Sequence, residues 1–400
     1  MKLSAAMARC RFLCALAAAT LLAGSLAPAP AAAADPYQID VILSLSGPFA
    51  FLGTAEAKSL QTLEPLVNAQ GGIDGRPVHF AIEDDQSQPA VAVQLANGII
   101  AKHGPLMLGP TYAASCLAVM PLVRIAGPVE YCFAPTIHPQ AGTYTFSGGS
   151  SSRDQAIETL TFARAKGWKR IGLIATTDAT GQDIETQFRS VIAGGRFPGL
   201  SIVDGEHFNG SDVSIAAQLA NIKAANPDVI FGCTVGTATG SLLRSLKDAG
   251  LDGVPMMTNL GNLTNTALSE FAAEMPREIY FTAPRVYARD VSGPGPVRDA
   301  QLAFAKAFNA QGIDPDVGNN FPWDPALVLI AGLRKLGPNA DAKSLLDYME
   351  SEHGFAGTNG IYDYRGGDQR GQGLTALVIV RWDAAKKHVF TVSRPGGAPL

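Results

Sequence analysis

The chain has 400 residues, of which 31 are lysine or arginine and 35 are aspartate or glutamate, for a formal net charge of −4. This balance excludes the strongly basic surface that binds nucleic acid. Hydrophobic residues make up 47% of the chain, enough for a sizeable core, and the length suits two domains of ordinary size better than one.

The first 34 residues have the pattern of a signal peptide. A basic start with Lys2 and Arg9 precedes an apolar stretch over residues 12–26, and a run of small residues ends at Ala34. A membrane anchor is the alternative, but the apolar stretch is short and two prolines follow it. We therefore expect an exported protein, with removal of the signal peptide after Ala34.

Strand and helix patterns alternate along residues 39–258. Strands are expected at residues 39–45, 78–83, 106–108 and 129–133, and in a second series at 170–175, 200–208, 229–233 and 255–258. Helices are expected between them at 55–69, 89–102, 113–125, 154–165, 181–193, 213–225 and 240–249. Strands separated by helices of this length pair in parallel through right-handed crossovers. The sequence therefore predicts an α/β chain with two doubly wound lobes.

The remaining residues contain too few strands for a third sheet. Helices are expected at 299–310, 325–336 and 342–350, and a hairpin at 374–382 and 389–392. These elements must complete the two lobes, with crossings near 147–150, 282–284 and 358–360. We expect an N-terminal lobe of residues 36–148 with 285–358, and a C-terminal lobe of residues 149–284 with 359–392.

Three cysteines follow the signal peptide: Cys116, Cys132 and Cys233. Thiols tend to pair in an oxidising compartment. Cys116 falls in an early turn of a predicted helix and Cys132 in the next strand, and these elements are neighbours in a βαβ unit. We predict a disulfide between them. The alternative is three buried, reduced cysteines that act as small apolar residues.

Short motifs mark the strand ends and the turn after the first helix. They are Leu45-Ser46-Gly47-Pro48, the Gly-Gly-Ile-Asp-Gly turn at residues 71–75, Asp84-Asp85, Gly109-Pro110 and Ala134-Pro135. With these motifs the chain resembles, over residues 37–392, the leucine/isoleucine/valine-binding branch of the type I periplasmic binding proteins. The resemblance implies two lobes joined by a three-segment hinge, a ligand in the cleft between them, and an ABC-type inner-membrane permease as partner.

The loop after the third strand is the main candidate for the ligand. Thr111, Tyr112 and Ser115 lie where a strand ends and a helix begins, and exposed amides at a helix start attract anions. Simple N-capping is the alternative. The resemblance implies that this loop and the loop Thr136-Ile137-His138 hold a ligand carboxylate, although His138 could also lie there without a ligand role.

A counter-charge for a ligand ammonium is missing. The resemblance implies a glutamate in the loop after the strand at 255–258 and tyrosines near two other strand ends. Here that loop begins at Asn259 and contains no acid, and the tyrosine positions carry Thr180 and Thr234. A buried ammonium without a counter-charge costs several kcal/mol. We therefore predict a ligand with a carboxylate and no free amino group, and include Asn259 among its contacts.

Aromatic residues in predicted loops are candidates for the apolar part of the site: Phe49, Phe51, Tyr112, Phe321 and Trp323. Rings near one cleft can stack on a ligand ring, and ordinary core packing is the alternative. An aromatic or phenylpropanoid acid is the favoured ligand class. A branched-chain or other aliphatic acid or amino acid is the alternative.

Motifs of catalysis and metal binding are absent from the sequence. It has no His-Glu-x-x-His, no Cys-x-x-Cys, no Gly-x-Ser-x-Gly elbow and no Gly-x-x-x-x-Gly-Lys loop. We therefore expect no cofactor, no metal site and no enzymatic activity. A monomeric binding protein of an ABC importer is favoured over a ligand-sensing ectodomain.

Overall fold

The structure is a computed structural model that describes residues 35–400, and the predicted signal peptide lies outside the described residues. Residues 36–400 contain two main β-sheets and one small hairpin. Within this part of the chain, none of the helices combines the length and the apolar character needed to cross a membrane.

The first sheet is entirely parallel. Its strands are β1 (Tyr37–Leu43), β2 (Val78–Asp84), β3 (Leu106–Leu108), β4 (Val129–Cys132) and β5 (Thr145–Ser147). They pair in the order β2-β1-β3-β4-β5. The connecting helices are α1 (Ala50–Ala69), α2 (Pro89–Ala101) and α3 (Ala113–Val123). Val41, Ile42 and Leu43 are fully buried, as expected for a parallel strand covered on both faces.

The second sheet repeats this arrangement. It contains β6 (Arg170–Thr176), β7 (Ser201–Phe208), β8 (Val229–Cys233), β9 (Met256–Thr258) and β10 (Ile279–Pro284). The helices of this series are α4 (Ser152–Ala165), α5 (Ala179–Ala193), α6 (Ala216–Ala224), α7 (Thr237–Asp248) and α8 (Asn265–Glu270). These five strands pair in parallel in the order β10-β9-β8-β6-β7.

The last part of the chain completes both lobes. It contains α9 (Pro296–Asn309), α10 (Val317–Leu336), α11 (Ala342–Ser351), the hairpin of β11 (His353–Ala356) with β12 (Ile361–Asp363), and then β13 (Leu377–Asp383) and β14 (His388–Thr391). Helix α10 packs along α1 of the first lobe. Strands β13 and β14 join the edge of the second sheet in antiparallel pairing. The predicted α/β fold with two doubly wound lobes is confirmed.

Helix α10 begins eight residues before the predicted start at residue 325. Asp316 caps it by accepting a hydrogen bond from the Asn319 amide at 3.1 Å, and the Asn319 side chain accepts one from the Asp316 amide at 3.0 Å. Pro322 and Pro325 lie inside the helix. The predicted start at Pro325 is therefore wrong, because this proline lies inside the helix and does not begin it. Phe321 and Trp323 lie on the helix instead of in a loop.

The chain passes from the first sheet to the second after β5, because α4 packs against β13 of the second sheet. Residues 282–284, a predicted crossing, lie inside β10. Residues 358–360 lie in the turn between β11 and β12, and the chain rejoins the second sheet only at Leu377. The residue bounds of the lobes stay a prediction.

A disulfide joins Cys116 of α3 to Cys132 at the end of β4. Both cysteines are buried in a small apolar cluster with Ala113, Ala134 and Ile137. Cys233 is a free, buried cysteine. The cross-link therefore fixes the first turns of α3 to the neighbouring strand.

Candidate functional site

A cavity lies between the two lobes, beside the carboxyl ends of strands from both sheets. Its volume is about 410 Å³ when the part open to solvent is included. The carboxyl edge of open parallel sheets is where such folds bind ligands. It is lined by Phe49, Leu52, residues 111–113 and 134–136, Gln155, Thr180, Ile184, Val235, residues 259–261 and Phe321.

The lining of this cavity is uncharged. Among the described residues, those that line it include no aspartate, glutamate, lysine, arginine or histidine. A ligand charge would therefore have to be matched by main-chain groups, hydroxyls and amides. Three arginines that follow predicted crossings in the sequence, Arg153, Arg285 and Arg289, are not part of the lining.

The start of helix α3 provides the main-chain donors. Tyr112 occupies the N-cap position in an extended conformation, and no side chain caps the helix there. Ala113, the first helical residue, lines the cavity. Because the first amides of a helix have no partner inside it, they are available to an anion in the cavity.

The hydroxyls of the same loop are used inside the first lobe. Thr111 Oγ1 donates to Glu56 Oε2 at 2.6 Å and accepts from the Ser44 amide at 3.0 Å. Ser115 Oγ donates to Asp85 Oδ2 at 2.7 Å. These side chains do not cap α3, and each hydroxyl already donates its proton to a buried carboxyl group. They position the loop instead.

Two buried acids lie behind this wall of the cavity. Burial raises the pKa of Glu56 to about 8, against the lowering effect of the Thr111 hydrogen bond, so this carboxyl is protonated at neutral pH. Asp85 accepts from Ser44 Oγ at 2.7 Å, Ser87 N at 2.9 Å and Ser115 Oγ. Asp85 therefore ties its own loop to the loop after β1 and to the first turn of α3.

An aromatic pair forms one wall of the cavity. The rings of Phe49 and Tyr112 are stacked, with centroids 4.3 Å apart and an interplanar angle of 16°. The Tyr112 hydroxyl donates to the Ser87 carbonyl at 2.8 Å, which fixes the ring. Phe321 reaches the same cavity from α10. Phe49, Tyr112 and Phe321, all predicted from the sequence, are thus brought together.

Ser115 is not part of the lining, and four further predicted residues do not line the cavity either. Trp323 packs in the core, where its ring centroid lies 5.1 Å from that of Phe304 and 5.7 Å from that of Phe308. Ile137 is fully buried in the cluster around the disulfide. His138 pairs with Asp183, and Phe51 lies beside Gly236. In this structure the four side chains contact other parts of the protein, and their role as ligand contacts stays a prediction.

Phe51 belongs to a contact between the lobes. A Cβ on Gly236, at the start of α7 in the second lobe, would lie 2.9 Å from the Phe51 ring and 3.1 Å from the Pro48 carbonyl oxygen. Gly236 has a φ of 77°, which favours glycine. The first loop of one lobe thus rests directly on the backbone of the other, beside the cavity.

The remaining lining residues come largely from the second lobe. Thr136 and Asn259, both predicted from the sequence, line the cavity. The Asn259 side chain also donates a hydrogen bond to the Thr234 carbonyl at 2.7 Å. Gln155, Ile184 and Val235 were missed. Thr111 was selected because it lies where a strand ends and a helix begins. The same pattern occurs after β6 and after β8, and it would have identified the segments near Thr180 and Val235.

Comparison with known proteins agrees with this geometry. The sequence model of the periplasmic binding protein family matches residues 36–387. The Leu/Ile/Val-binding protein BraC3 of Rhizobium johnstonii is 25% identical over 376 residues, which cover 92% of this chain and 97% of the relative.

Two solved structures show the same fold. The branched-chain amino acid transporter substrate binding protein LivJ of Streptococcus pneumoniae, in complex with isoleucine, has a TM-score of 0.73 at 19% identity, covering 90% of this chain and 99% of that one. An ABC transporter solute binding protein of R. palustris, in complex with benzoate, has a TM-score of 0.72 at 20% identity, covering 91% and 97%. The chain therefore belongs to the periplasmic binding protein family, in the leucine/isoleucine/valine-binding branch with the type I fold.

Proposed function

We propose that this chain is the periplasmic solute-binding component of an ABC importer and that it binds a small carboxylate without a free amino group. An aromatic or phenylpropanoid acid is the favoured cargo. The observation that carries the proposal is the uncharged lining of the cavity, which combines a stacked aromatic pair with an uncapped helix start.

The two ends of such a ligand meet different surroundings. The carboxylate accepts hydrogen bonds from the amides at the start of α3, near Ala113, where the helix dipole favours negative charge. The ring packs against Phe49 and Phe321, where burial of apolar surface provides most of the affinity. An ammonium group in this cavity has no acid beside it and loses its hydration without compensation.

A branched-chain amino acid is the second candidate. BraC3 is named as a Leu/Ile/Val-binding protein, and LivJ was solved with isoleucine. The solute binding protein of R. palustris was solved with benzoate, so aromatic acids also occur as cargo on this fold. Matched ligands that differ only in the amino group separate the two candidates.

A thermal-shift screen with matched pairs tests the proposed cargo. The pairs are 3-phenylpropanoate with phenylalanine, and 4-methylpentanoate with leucine. We expect the acids to stabilise the chain, by about 2.7 kcal/mol at 100 times Kd, and the amino acids to leave the melting temperature unchanged. Stabilisation by leucine or phenylalanine alone would replace the proposed cargo with an amino acid.

Substitution of proline for Ala113 tests the carboxylate site. Proline is well accepted as the first residue of a helix, and Tyr112 already has the extended conformation that must precede it. The change therefore removes one amide donor and keeps the helix. Because a hydrogen bond to a charged group contributes about 1.5–3 kcal/mol, we expect the Kd for 3-phenylpropanoate to rise at least tenfold in calorimetry.

The matched control for this substitution is Ala342→Pro. Ala342 is the first residue of α11, its N-cap residue Asp341 is also extended, and it does not line the cavity. This variant is expected to bind 3-phenylpropanoate with the Kd of the unmodified chain. Unchanged binding by the Ala113→Pro variant would exclude the start of α3 as the carboxylate site.

A further inference from the structure

The loop of residues 136–138 contacts three parts of the molecule at once. Thr136 lines the cavity. The carbonyl oxygen of Ile137 accepts a hydrogen bond from the Arg370 guanidinium. His138 Nε2 lies 2.6 Å from Asp183 Oδ1. One short loop therefore connects the ligand cavity to a buried arginine and to an acid on α5.

The pair of His138 and Asp183 joins the two lobes. His138 lies between β4 and β5 of the first sheet, and Asp183 lies on α5, between β6 and β7 of the second sheet. Among the described residues, it is the one contact between a basic and an acidic side chain that connects an element of the first sheet's lobe to an element of the second. Separation of the lobes would break it.

Both partners are held in place by other groups. Asp183 Oδ2 accepts a hydrogen bond from Ser152 Oγ, at the start of α4 just after the first crossing. Arg370 lies between β12 and β13, where the chain returns to the second sheet, and donates to Ser147 Oγ at 2.8 Å and to the Gly149 carbonyl at 3.4 Å. The loop is thus tied to the segments that must bend when the lobes move.

We propose that His138 and Asp183 form a latch that holds the two lobes closed, positioned by Arg370 through the backbone of Ile137. A contact made only in the closed state shifts the open–closed equilibrium toward closure. The latch therefore slows release of a ligand that the cavity holds. This part of the inference rests on the proposed function, whereas the effect on the ligand-free protein does not.

The test compares His138→Ala with a matched control, His207→Ala. His207 Nε2 lies 2.5 Å from Glu185 Oε2 on the same helix α5, but both residues belong to the second lobe. Small-angle scattering of the ligand-free protein should show a larger radius of gyration for His138→Ala and an unchanged one for His207→Ala. Dissociation of 3-phenylpropanoate should become about two- to fivefold faster only for His138→Ala, as expected for the loss of one half-exposed polar contact.

Two further variants distinguish a latch from general destabilisation. His138→Gln keeps a donor to Asp183 and should restore the slow dissociation. Asp183→Ala should match His138→Ala, and the double variant should be no worse than either single one. Identical scattering and dissociation for His138→Ala and the unmodified chain, or additive effects in the double variant, would overturn the latch. If 3-phenylpropanoate does not bind at all, the proposed cargo is wrong. The latch is then tested by the small-angle scattering of the ligand-free variants alone.

Discussion

Raising the pH from 5 to 8 is expected to lower the free energy of unfolding of this chain by several kcal/mol. Burial raises the pKa of both Glu56 and Glu130 from 4.5 to about 8, although hydrogen bonds from Thr111 and Thr145 act in the opposite direction. In the unfolded chain the same carboxyls lose their protons near pH 4.5. Between the two values the folded state binds more protons, so stability that is complete below pH 4.5 is lost as the pH rises to 8.

Urea unfolding at a series of pH values measures this loss. Each pKa unit corresponds to about 1.4 kcal/mol, so the two glutamates together can account for several kcal/mol. The double variant Glu56→Gln/Glu130→Gln removes both titrations and should make the profile between pH 5 and 8 shallower. The slope that is left comes from Glu158, Asp316 and Asp324, because burial raises the pKa of these carboxyls as well. The same change at the exposed Glu270 serves as the control. Stability that rises over this range would contradict the burial of protonated carboxyls in the first lobe.

Removal of the disulfide is expected to destabilise the chain by about 3 kcal/mol. The cross-linked residues are 16 positions apart, and closing a loop of about this length in the unfolded chain contributes roughly 3 kcal/mol. The variant Cys116→Ala/Cys132→Ala should show this difference in urea unfolding. Because Cys116 follows Ala113 by three residues on α3, the same variant should also weaken binding of 3-phenylpropanoate.

Cys233→Ala is the control for the disulfide variant. It removes a buried thiol without opening a cross-link, so it should cost less than the double variant. A thiol titration of the unfolded, unreduced chain without residues 1–34 should find one free thiol. Three free thiols would show that the cross-link does not form.

The sequence was sufficient to predict the fold because parallel strands leave a strong pattern. Short apolar runs separated by helices of similar length define both sheets, and the antiparallel hairpin of β13 and β14 was also predicted. The strands β5, β10, β11 and β12 and the short helix α8 were missed, and part of β10 was predicted as a crossing between the lobes. Strands of three or four residues carry little periodicity, and their position depends on pairing with distant parts of the chain.

The site was predictable in part. Strand ends and aromatic loops led to Phe49, Tyr112 and Phe321, which the fold brings together. The direction in which a side chain points could not be read from the sequence. Thr111 and Ser115 lie at the predicted strand end and helix start, but their hydroxyls donate to Glu56 and Asp85 and not to a ligand. These partners lie 55 and 30 residues away along the chain, so only the folded structure reveals them.

Calorimetric titration of the chain with 3-phenylpropanoate and with phenylalanine tests the uncharged site most directly. The two molecules share ring and carboxylate and differ only in the α-ammonium group. Because a buried ammonium without an acid costs several kcal/mol, we expect the acid to bind at least a hundredfold more tightly than the amino acid. Equal or tighter binding of phenylalanine would show that the cavity provides a counter-charge, and would contradict the proposed cargo.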